Sequence, residues 1–153
     1  MPTPITVRLL PDPDQHDLLA ATLERVNKAC NAARTRALER KVTGKAELRA
    51  LVREELERFK LPATFNAPSA DRVAASLRGQ RFGTYQTLVL PPAALKWPAT
   101  DRVSLPTSAG KRTVRVYVDP ARGSLRPPLE GKPTALVYRN GGFELVDAGS
   151  PRG

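Results

Sequence analysis

Residues 5–15, with the sequence ITVRLLPDPDQ, contain the sharpest change of local structure in the chain. The mixture of β-branched and apolar residues over 5–10 predicts a short strand. Asp12, Pro13 and Gln15 then predict a helix start, because an N-cap aspartate, a proline at the first helical position and a glutamine three residues after the cap form a capping box. A strand that leads directly into a helix predicts a fold that mixes the two.

A long apolar stripe follows this helix start. Its members recur at spacings of three and four residues and are Leu19, Leu23, Val26, Cys30, Ala33 and Ala37. This spacing predicts a helix from residue 13 to about residue 41. Similar patterns predict a second helix over 45–59 and a short third helix over 68–78, which Gly79 ends as the C′ residue.

Beyond Gly83 the pattern becomes extended. Short runs of strand-forming residues separated by turn signals cover residues 85–90, 102–105, 113–118, 134–138 and 142–146. Residues 108–111 suit one hairpin turn, and Asn140-Gly141 is the pair that type I′ hairpin turns favour. Together with the first strand, these runs predict an α+β fold: a small antiparallel β-barrel with a helical lobe inserted after its first strand.

The charge of the chain predicts an anionic partner. Its 25 Lys and Arg against 15 Asp and Glu give a net charge of +10, and 18 of the 25 basic residues are Arg. Arginine is the side chain whose planar fork suits phosphates and stacks on bases. A domain this basic most often binds nucleic acid, and a well-solvated basic protein without such a role is the alternative.

Several classes of protein are excluded by what the sequence lacks. No run approaches the roughly 20 apolar residues of a membrane-spanning helix, and residues 1–4 do not begin a signal peptide, so we expect a cytoplasmic protein without a membrane partner. A single cysteine and a single histidine remove zinc sites and disulfides. We expect Cys30 to be a small core residue and His16 to be a solvated residue of the first helical turn.

Several short segments carry a family resemblance. In chain order they are 9–15 (LLPDPDQ), 26–31 (VNKACN), 48–56 (LRALVREEL), 95–97 (LKW), 101–105 (DRVSL), 110–116 (GKRTVRV) and 136–143 (LVYRNGGF). Their order and spacing resemble the N-terminal part of TnpB proteins. TnpB proteins are RNA-guided DNA endonucleases of insertion sequences, known also as transposase-like proteins, and are relatives of type V CRISPR effectors.

The resemblance implies a barrel of the oligonucleotide-binding, wedge type formed by residues 1–11 and 84–147, with a helical recognition lobe over 12–83 and a disordered tail over 148–153. It also implies a prokaryotic protein, in the cytoplasm or associated with the nucleoid. In the family these two lobes hold the guide RNA scaffold and the short DNA motif beside the target. RNA of the guide scaffold type and duplex DNA are therefore the expected partners.

The sequence also departs from the family. TnpB chains continue into a RuvC-like nuclease domain, whereas this sequence ends at Gly153 and reads from Asp147 like a terminus made by a frameshift or stop. Glu144 stands where the family usually has an aromatic residue. After Lys60 the acidic residues are scattered, whereas metal-dependent cleavage needs clustered carboxylates. We therefore expect a nuclease-deficient, truncated relative with no catalytic residue, metal or cofactor.

Candidate nucleic-acid contacts follow from the placement of the basic and aromatic residues. The candidates for phosphate contacts are Arg25, Lys28, Arg34 and Arg36 on the first helix, Arg72, Arg78 and Arg81 around the third, and Lys111, Arg112 and Arg115 on the barrel. Tyr85, Trp97 and Tyr117 are candidates for base stacking, with core packing the favoured role for Trp97. For the row on the first helix, a solvated helix face is an equally good interpretation.

Two other functions are compatible with the same sequence. The chain could be an interaction subunit that pairs with a separately encoded nuclease half through an open, apolar strand edge at residues 143–146. It could also be a decayed transposon remnant. Among enzymes, no nucleophile, base and orienting group occur together.

Overall fold

The computed structural model describes residues 6–117, 129 and 133–148. After strand β1 (Thr6–Leu10) come three helices, α1 (Pro13–Arg40), α2 (Lys45–Arg58) and α3 (Asn66–Ser76). Six further strands follow: β2 (Leu88–Leu90), β3 (Lys96–Ala99), β4 (Arg102–Thr107), β5 (Gly110–Val116), β6 (Thr134–Arg139) and β7 (Gly142–Asp147). The mixed helix and strand fold expected from the sequence is confirmed. Residues 1–5, 118–128 and 130–132 of the expected barrel and residues 149–153 of the expected tail over 148–153 lie outside the described residues.

The start of α1 is the capping box that the sequence predicts. The Asp12 carboxylate accepts the Gln15 backbone N–H at 2.8 Å, and the Gln15 side-chain carbonyl accepts the Asp12 N–H at 3.1 Å. The C-cap residue that follows the helix is Lys41, which adopts the left-handed conformation with φ 55°. Every member of the predicted apolar stripe of α1 is buried, including Cys30, and burial raises the pKa of its thiol.

Helix α3 differs in its bounds from the prediction. It begins at Asn66 and ends at Ser76, and a single 3₁₀ turn, Ala63–Phe65, leads into it. Phe65 is buried and anchors this turn in the core. Pro68 lies within the first helical turn, where a backbone N–H has no intrahelical acceptor and a proline costs nothing.

The strands form one antiparallel sheet of seven strands in the order β2-β6-β7-β1-β5-β4-β3, and this sheet curls into half a barrel. The sequence predicts six strands and misses β3, which contains Pro98. Proline is tolerated there because β3 is an edge strand and its pairing with β4 is irregular. The β6–β7 turn has Asn140 at φ 53° and Gly141 at φ 77°, which agrees with the predicted type I′ hairpin.

Buried and exposed residues alternate along β1 and along the second half of β5. In β5, Val114 and Val116 are buried while Thr113 and Arg115 are exposed. The buried side chains of the sheet and of the helices belong to one hydrophobic cluster. We call the opposite side of the sheet, whose residues alternate with the buried ones, the open face.

The first turns of α1 attach this helix to both hairpins of the sheet. Gln15 Nε2 donates to the Thr113 carbonyl at 2.8 Å, and the Ser108 N–H donates to Thr22 Oγ1 at 2.9 Å. His16 Nε2 donates to the Gly141 carbonyl at 2.9 Å. The α1 start thus bridges the β4–β5 and β6–β7 hairpins.

His16 is less solvated than the sequence predicts, because its side chain, which is 35% exposed, is partly covered by the β6–β7 hairpin. Its ring lies 5.1 Å from the Phe143 ring and 6.2 Å from the Tyr138 ring, both edge to face. A helix position in the first turn predicts exposure only when no other element covers it, and here the β6–β7 hairpin does.

Candidate nucleic-acid interface

The arginines of α1 have partners inside the molecule. Arg25 Nη2 donates to the carbonyl of Phe59, just past the end of α2. Arg34 reaches the end of α3, where its Nε donates to the Ser76 carbonyl at 3.2 Å and its Nη2 to the Gly79 carbonyl at 2.8 Å. The last carbonyls of a helix have no intrahelical donor, so these guanidinium groups satisfy them.

Arg36 is bound to two carboxylates of α2. Its Nη2 lies 2.8 Å from Glu54 Oε2 and its Nη1 lies 3.1 Å from Glu55 Oε1. The hydrogen bonds to Glu54 and Glu55 raise the pKa of the Arg36 guanidinium. Lys28, which is exposed, lies 3.0 Å from Glu24 one turn earlier in α1. Each of the four predicted phosphate contacts on α1 therefore has a partner within the protein.

Arg72 of α3 is also engaged internally. Its Nη2 donates to Asn27 Oδ1 at 2.6 Å, and its guanidinium carbon lies 4.5 Å from the centroid of the Phe82 ring. Burial lowers the pKa of this guanidinium. Arg78 and Arg81 are exposed, and neither has a side-chain partner among the described residues.

Two asparagines of α1 hold the chain that follows α3. Asn27 Nδ2 donates to the Thr84 and Gln86 carbonyls at 3.2 and 3.0 Å. The Asn31 amide exchanges two hydrogen bonds with the backbone of Phe82, at 2.9 and 2.8 Å. The VNKACN segment thus fixes the connection between the helices and the sheet.

The open face of the sheet carries a second group of cations. They are Arg8 of β1, Lys96 of β3, Arg102 of β4 and Lys111 and Arg115 of β5, and we call these five residues the basic face. All five are exposed. Strands β1, β3, β4 and β5 contain no Asp or Glu.

The sheet register brings two of these arginines together. Arg102 lies directly opposite Arg115 across the β4–β5 ladder. Like charges at directly opposed positions destabilise an antiparallel pair. Within the described part of the chain, no member of the basic face forms an ion pair, so this positive potential is available to an external anion.

The sequence predicts Lys111 and Arg115 but misses three members of the basic face: Arg8, Lys96 and Arg102. Arg8 and Arg102 alternate with buried Val7 and Val103, and that alternation is visible in the sequence. Their approach to the β5 cations depends on the strand order, which the sequence does not show. Arg112 is exposed, and its Nη1 donates to the neighbouring Lys111 carbonyl at 2.8 Å.

The three candidate stacking residues differ in their surroundings. Tyr117 is 54% exposed, and its N–H donates to the Arg8 carbonyl at 2.9 Å. Tyr85 is 43% exposed but lies 5.1 Å from the Tyr138 ring. Trp97 is half-buried and packs against the core, which agrees with its favoured role. Tyr117 is therefore the aromatic residue that adjoins the basic face.

The expected open edge at residues 143–146 is wrong. Strand β7 lies inside the sheet, paired with β6 over its whole length and with β1 at Thr6–Arg8, the pairs running from Thr6 opposite Val146 to Arg8 opposite Glu144. The edges of the sheet are β2 and β3. Strand β1 pairs with the side of β7 that the sequence predicts to be open.

Among the described residues, no group of three His, Cys, Asp or Glu side chains is placed to hold a metal ion. None of the helices in the described ranges has the length and apolar character needed to cross a bilayer. No protein-family model and no curated protein matches this sequence.

Proposed function

We propose that this protein binds nucleic acid through the basic face of its sheet. The observation that carries the proposal is the set of five exposed cations on β1, β3, β4 and β5, strands that contain no acidic residue. Phosphate backbones are bound by such groups of Arg and Lys, because each contact releases a condensed counterion.

A polymeric anion fits this face better than a small one. The cations are distributed over four strands, with neighbouring strands about 4.8 Å apart. Such an array exceeds what one phosphate group can contact and suits several phosphates of a chain. Tyr117, opposite Arg8, adds an exposed aromatic surface of the kind on which bases stack.

We further propose that the ligand is RNA of the guide scaffold type, with duplex DNA as a second ligand, in a TnpB-like module. The support is the order of the seven sequence segments described above, together with three helices between β1 and β2 and a curled antiparallel sheet. On this proposal the sheet is a barrel of the oligonucleotide-binding type and the helices are its inserted recognition lobe. The role of the module is to bind RNA without cleaving DNA.

Equilibrium binding over a salt series tests the proposal. The purified protein is titrated with fluorescent RNA transcribed from the sequence around its own gene and with a scrambled RNA of the same length. We expect tight binding to the first RNA, with an affinity that falls steeply between about 50 and 200 mM salt. A salt-independent affinity would contradict binding through the basic face, and equal affinity for both RNAs would contradict the guide-scaffold role.

A cleavage assay tests the absence of catalysis. The protein, with bound RNA, is incubated with duplex DNA and magnesium, and we expect the DNA to remain intact. Metal-dependent scission that copurifies with the protein would overturn this part of the proposal.

Association with a separately encoded nuclease subunit is the alternative function. The open edge at residues 143–146 that favoured it does not exist, because β7 is paired on both sides. Copurification of a nuclease chain with the tagged protein would revive this alternative.

A further inference from the structure

A polar pocket lies on the open face at the β6–β7 hairpin, beside the basic face. Its volume is about 260 Å³, and its lining includes Arg8, Arg139, Asn140 and Glu144. Arg8 and Glu144 are directly opposite each other across the β1–β7 ladder. The pocket is smaller than the range of about 300 to 1,000 Å³ typical of drug-sized ligands, so it suits one planar group.

The lining offers two kinds of hydrogen-bonding group. Arg8 and Arg139 are donors only, whereas the Glu144 carboxylate is an acceptor only. Glu144 is 23% exposed, and its Oε1 lies 3.7 Å from Arg139 Nη1, which is an ion pair but too long for a hydrogen bond. Both groups therefore keep hydrogen-bonding capacity for a ligand.

Guanine has the pattern that complements this lining. Its N1–H and N2 amino group are adjacent donors that one carboxylate can accept together, and its O6 and N7 are acceptors that suit arginine. Adenine and cytosine present a ring-nitrogen lone pair at the corresponding position of their pairing edge, which a carboxylate repels. Uracil offers a single N–H.

The position of the pocket connects it to the cations that would hold phosphates. Arg8 lines the pocket and is also a member of the basic face. Through the backbone hydrogen bond from Tyr117 to Arg8, β1 carries the pocket on one side and the exposed Tyr117 on the other. The pocket is therefore next to the cations that would hold the phosphates of a bound strand.

We propose that this pocket binds an unpaired guanine base of a nucleic acid strand held on the basic face, with Glu144 as the specificity-determining residue. The inference rests on the proposed function, because the basic face must hold the strand. It goes beyond that function by assigning a base preference to a defined site.

The test uses short fluorescent oligouridine RNAs that carry one central guanosine, inosine or adenosine. We expect the central guanosine to tighten binding to the wild-type protein about tenfold over oligouridine alone. Inosine, which lacks the N2 amino group, should lose most of this gain, and adenosine should give none. Because this comparison uses the unaltered protein, it does not depend on how any variant folds.

Two matched variants locate the preference. Glu144→Gln should reduce the guanosine preference to less than about twofold, with an affinity for oligouridine that is unchanged or higher because a negative charge has been removed. Glu57→Gln, an exposed change on α2, should keep the full preference.

The outcomes separate the two proposals. Equal binding of all the oligonucleotides, or a guanosine preference that survives in Glu144→Gln, would overturn the guanine pocket and leave nucleic-acid binding intact. Failure to bind any of them at low salt would overturn the proposed function and this inference together.

Discussion

Helix α1 and the open face of the sheet each carry a group of cations, and the two groups look alike in the sequence. In α1, Arg25, Arg34 and Arg36 are bound to carbonyls or carboxylates of α2 and α3. On the sheet, Arg102 and Arg115 lie opposite each other with no ion-pair partner among the described residues. The difference teaches that a cation predicts an external anion only when the fold supplies no internal one.

The arginines of α1 have internal partners because this helix lies beside the C-terminal ends of α2 and α3. Helices α2 and α3 each end beside α1, and their last carbonyls have no intrahelical donor. A long arginine side chain on α1 can reach them: Arg34 reaches the Ser76 carbonyl at the end of α3 and the Gly79 carbonyl three residues further on. Among the described residues, no such helix end lies beside the basic face: Arg102 and Arg115 lie on strands that pair with each other, and the residue opposite each of them in that ladder is the other arginine.

Charge reversal on the open face is expected to have the largest effect. The double change Arg102→Glu with Arg115→Glu should weaken RNA binding at least about a hundredfold, because two cations become anions beside the phosphates. Fluorescence anisotropy at low salt measures the affinity, and thermal unfolding should show a midpoint close to that of the wild type, since one directly opposed pair of like charges replaces another.

The matched control reverses two exposed cations of α1. Lys28→Glu with Arg40→Glu changes the net charge equally, yet the affinity should fall only severalfold through the long-range field. Equal losses in the two double variants would show that net charge, and not the basic face, determines binding.

Removing Arg36 should act on stability and not on binding. Arg36→Met leaves the Glu55 carboxylate, which is 1% exposed, with Arg58 at 3.4 Å as its remaining cation. We expect the midpoint of thermal unfolding to fall by about 5 °C or more, because a buried carboxylate loses its closest partner. Arg115→Met, as the comparison on the sheet, should weaken RNA binding while its midpoint stays within a degree or two of wild type. A larger fall in the unfolding midpoint for Arg115→Met than for Arg36→Met would contradict the distinction between the two groups of cations.

A smaller effect on RNA binding is expected from the two exposed tyrosines, Tyr85 and Tyr117. Tyr117→Leu should weaken the binding of single-stranded RNA about tenfold, which is the size of one lost stacking contact. Tyr85→Leu should change the affinity by less than about twofold, because its ring already packs against Tyr138. Titration of both variants with the same RNA checks this, and a larger loss for Tyr85→Leu would move the stacking site away from the basic face.

The smallest expected effect is a pH dependence of stability that arises from Cys30, a buried residue of α1. Burial raises the pKa of the Cys30 thiol, so the native protein holds this proton more tightly than the unfolded chain does. Stability from this group is therefore complete below the unfolded pKa of about 8.5 and falls as the pH rises above it, by at most about 1.4 kcal/mol per pH unit.

Urea unfolding of wild type and Cys30→Ala at several alkaline pH values isolates this effect. The stability advantage of the wild type should shrink as the pH rises, because the alanine variant has no thiol to ionise. A constant difference between the two proteins would show that the thiol environment is the same in the folded and unfolded chain.

The sequence by itself determined the local elements. The capping box at Asp12 and Gln15 and the apolar stripe of α1 specified that helix to within one residue at its end, and Asn140-Gly141 specified the β6–β7 turn. These features depend on hydrogen bonds and periodicity between residues a few positions apart, which a sequence displays directly. It also determined the basic character of the chain and the burial of Cys30.

Only the tertiary structure decided which cations are free. Arg34 and the Gly79 carbonyl are 45 residues apart, and His16 and its partner Gly141 are 125 apart. The opposition of Arg102 and Arg115 likewise depends on the pairing of β4 with β5. Such neighbours are set by strand order, register and helix packing, because a side chain satisfies its charge with whatever group the fold brings within reach.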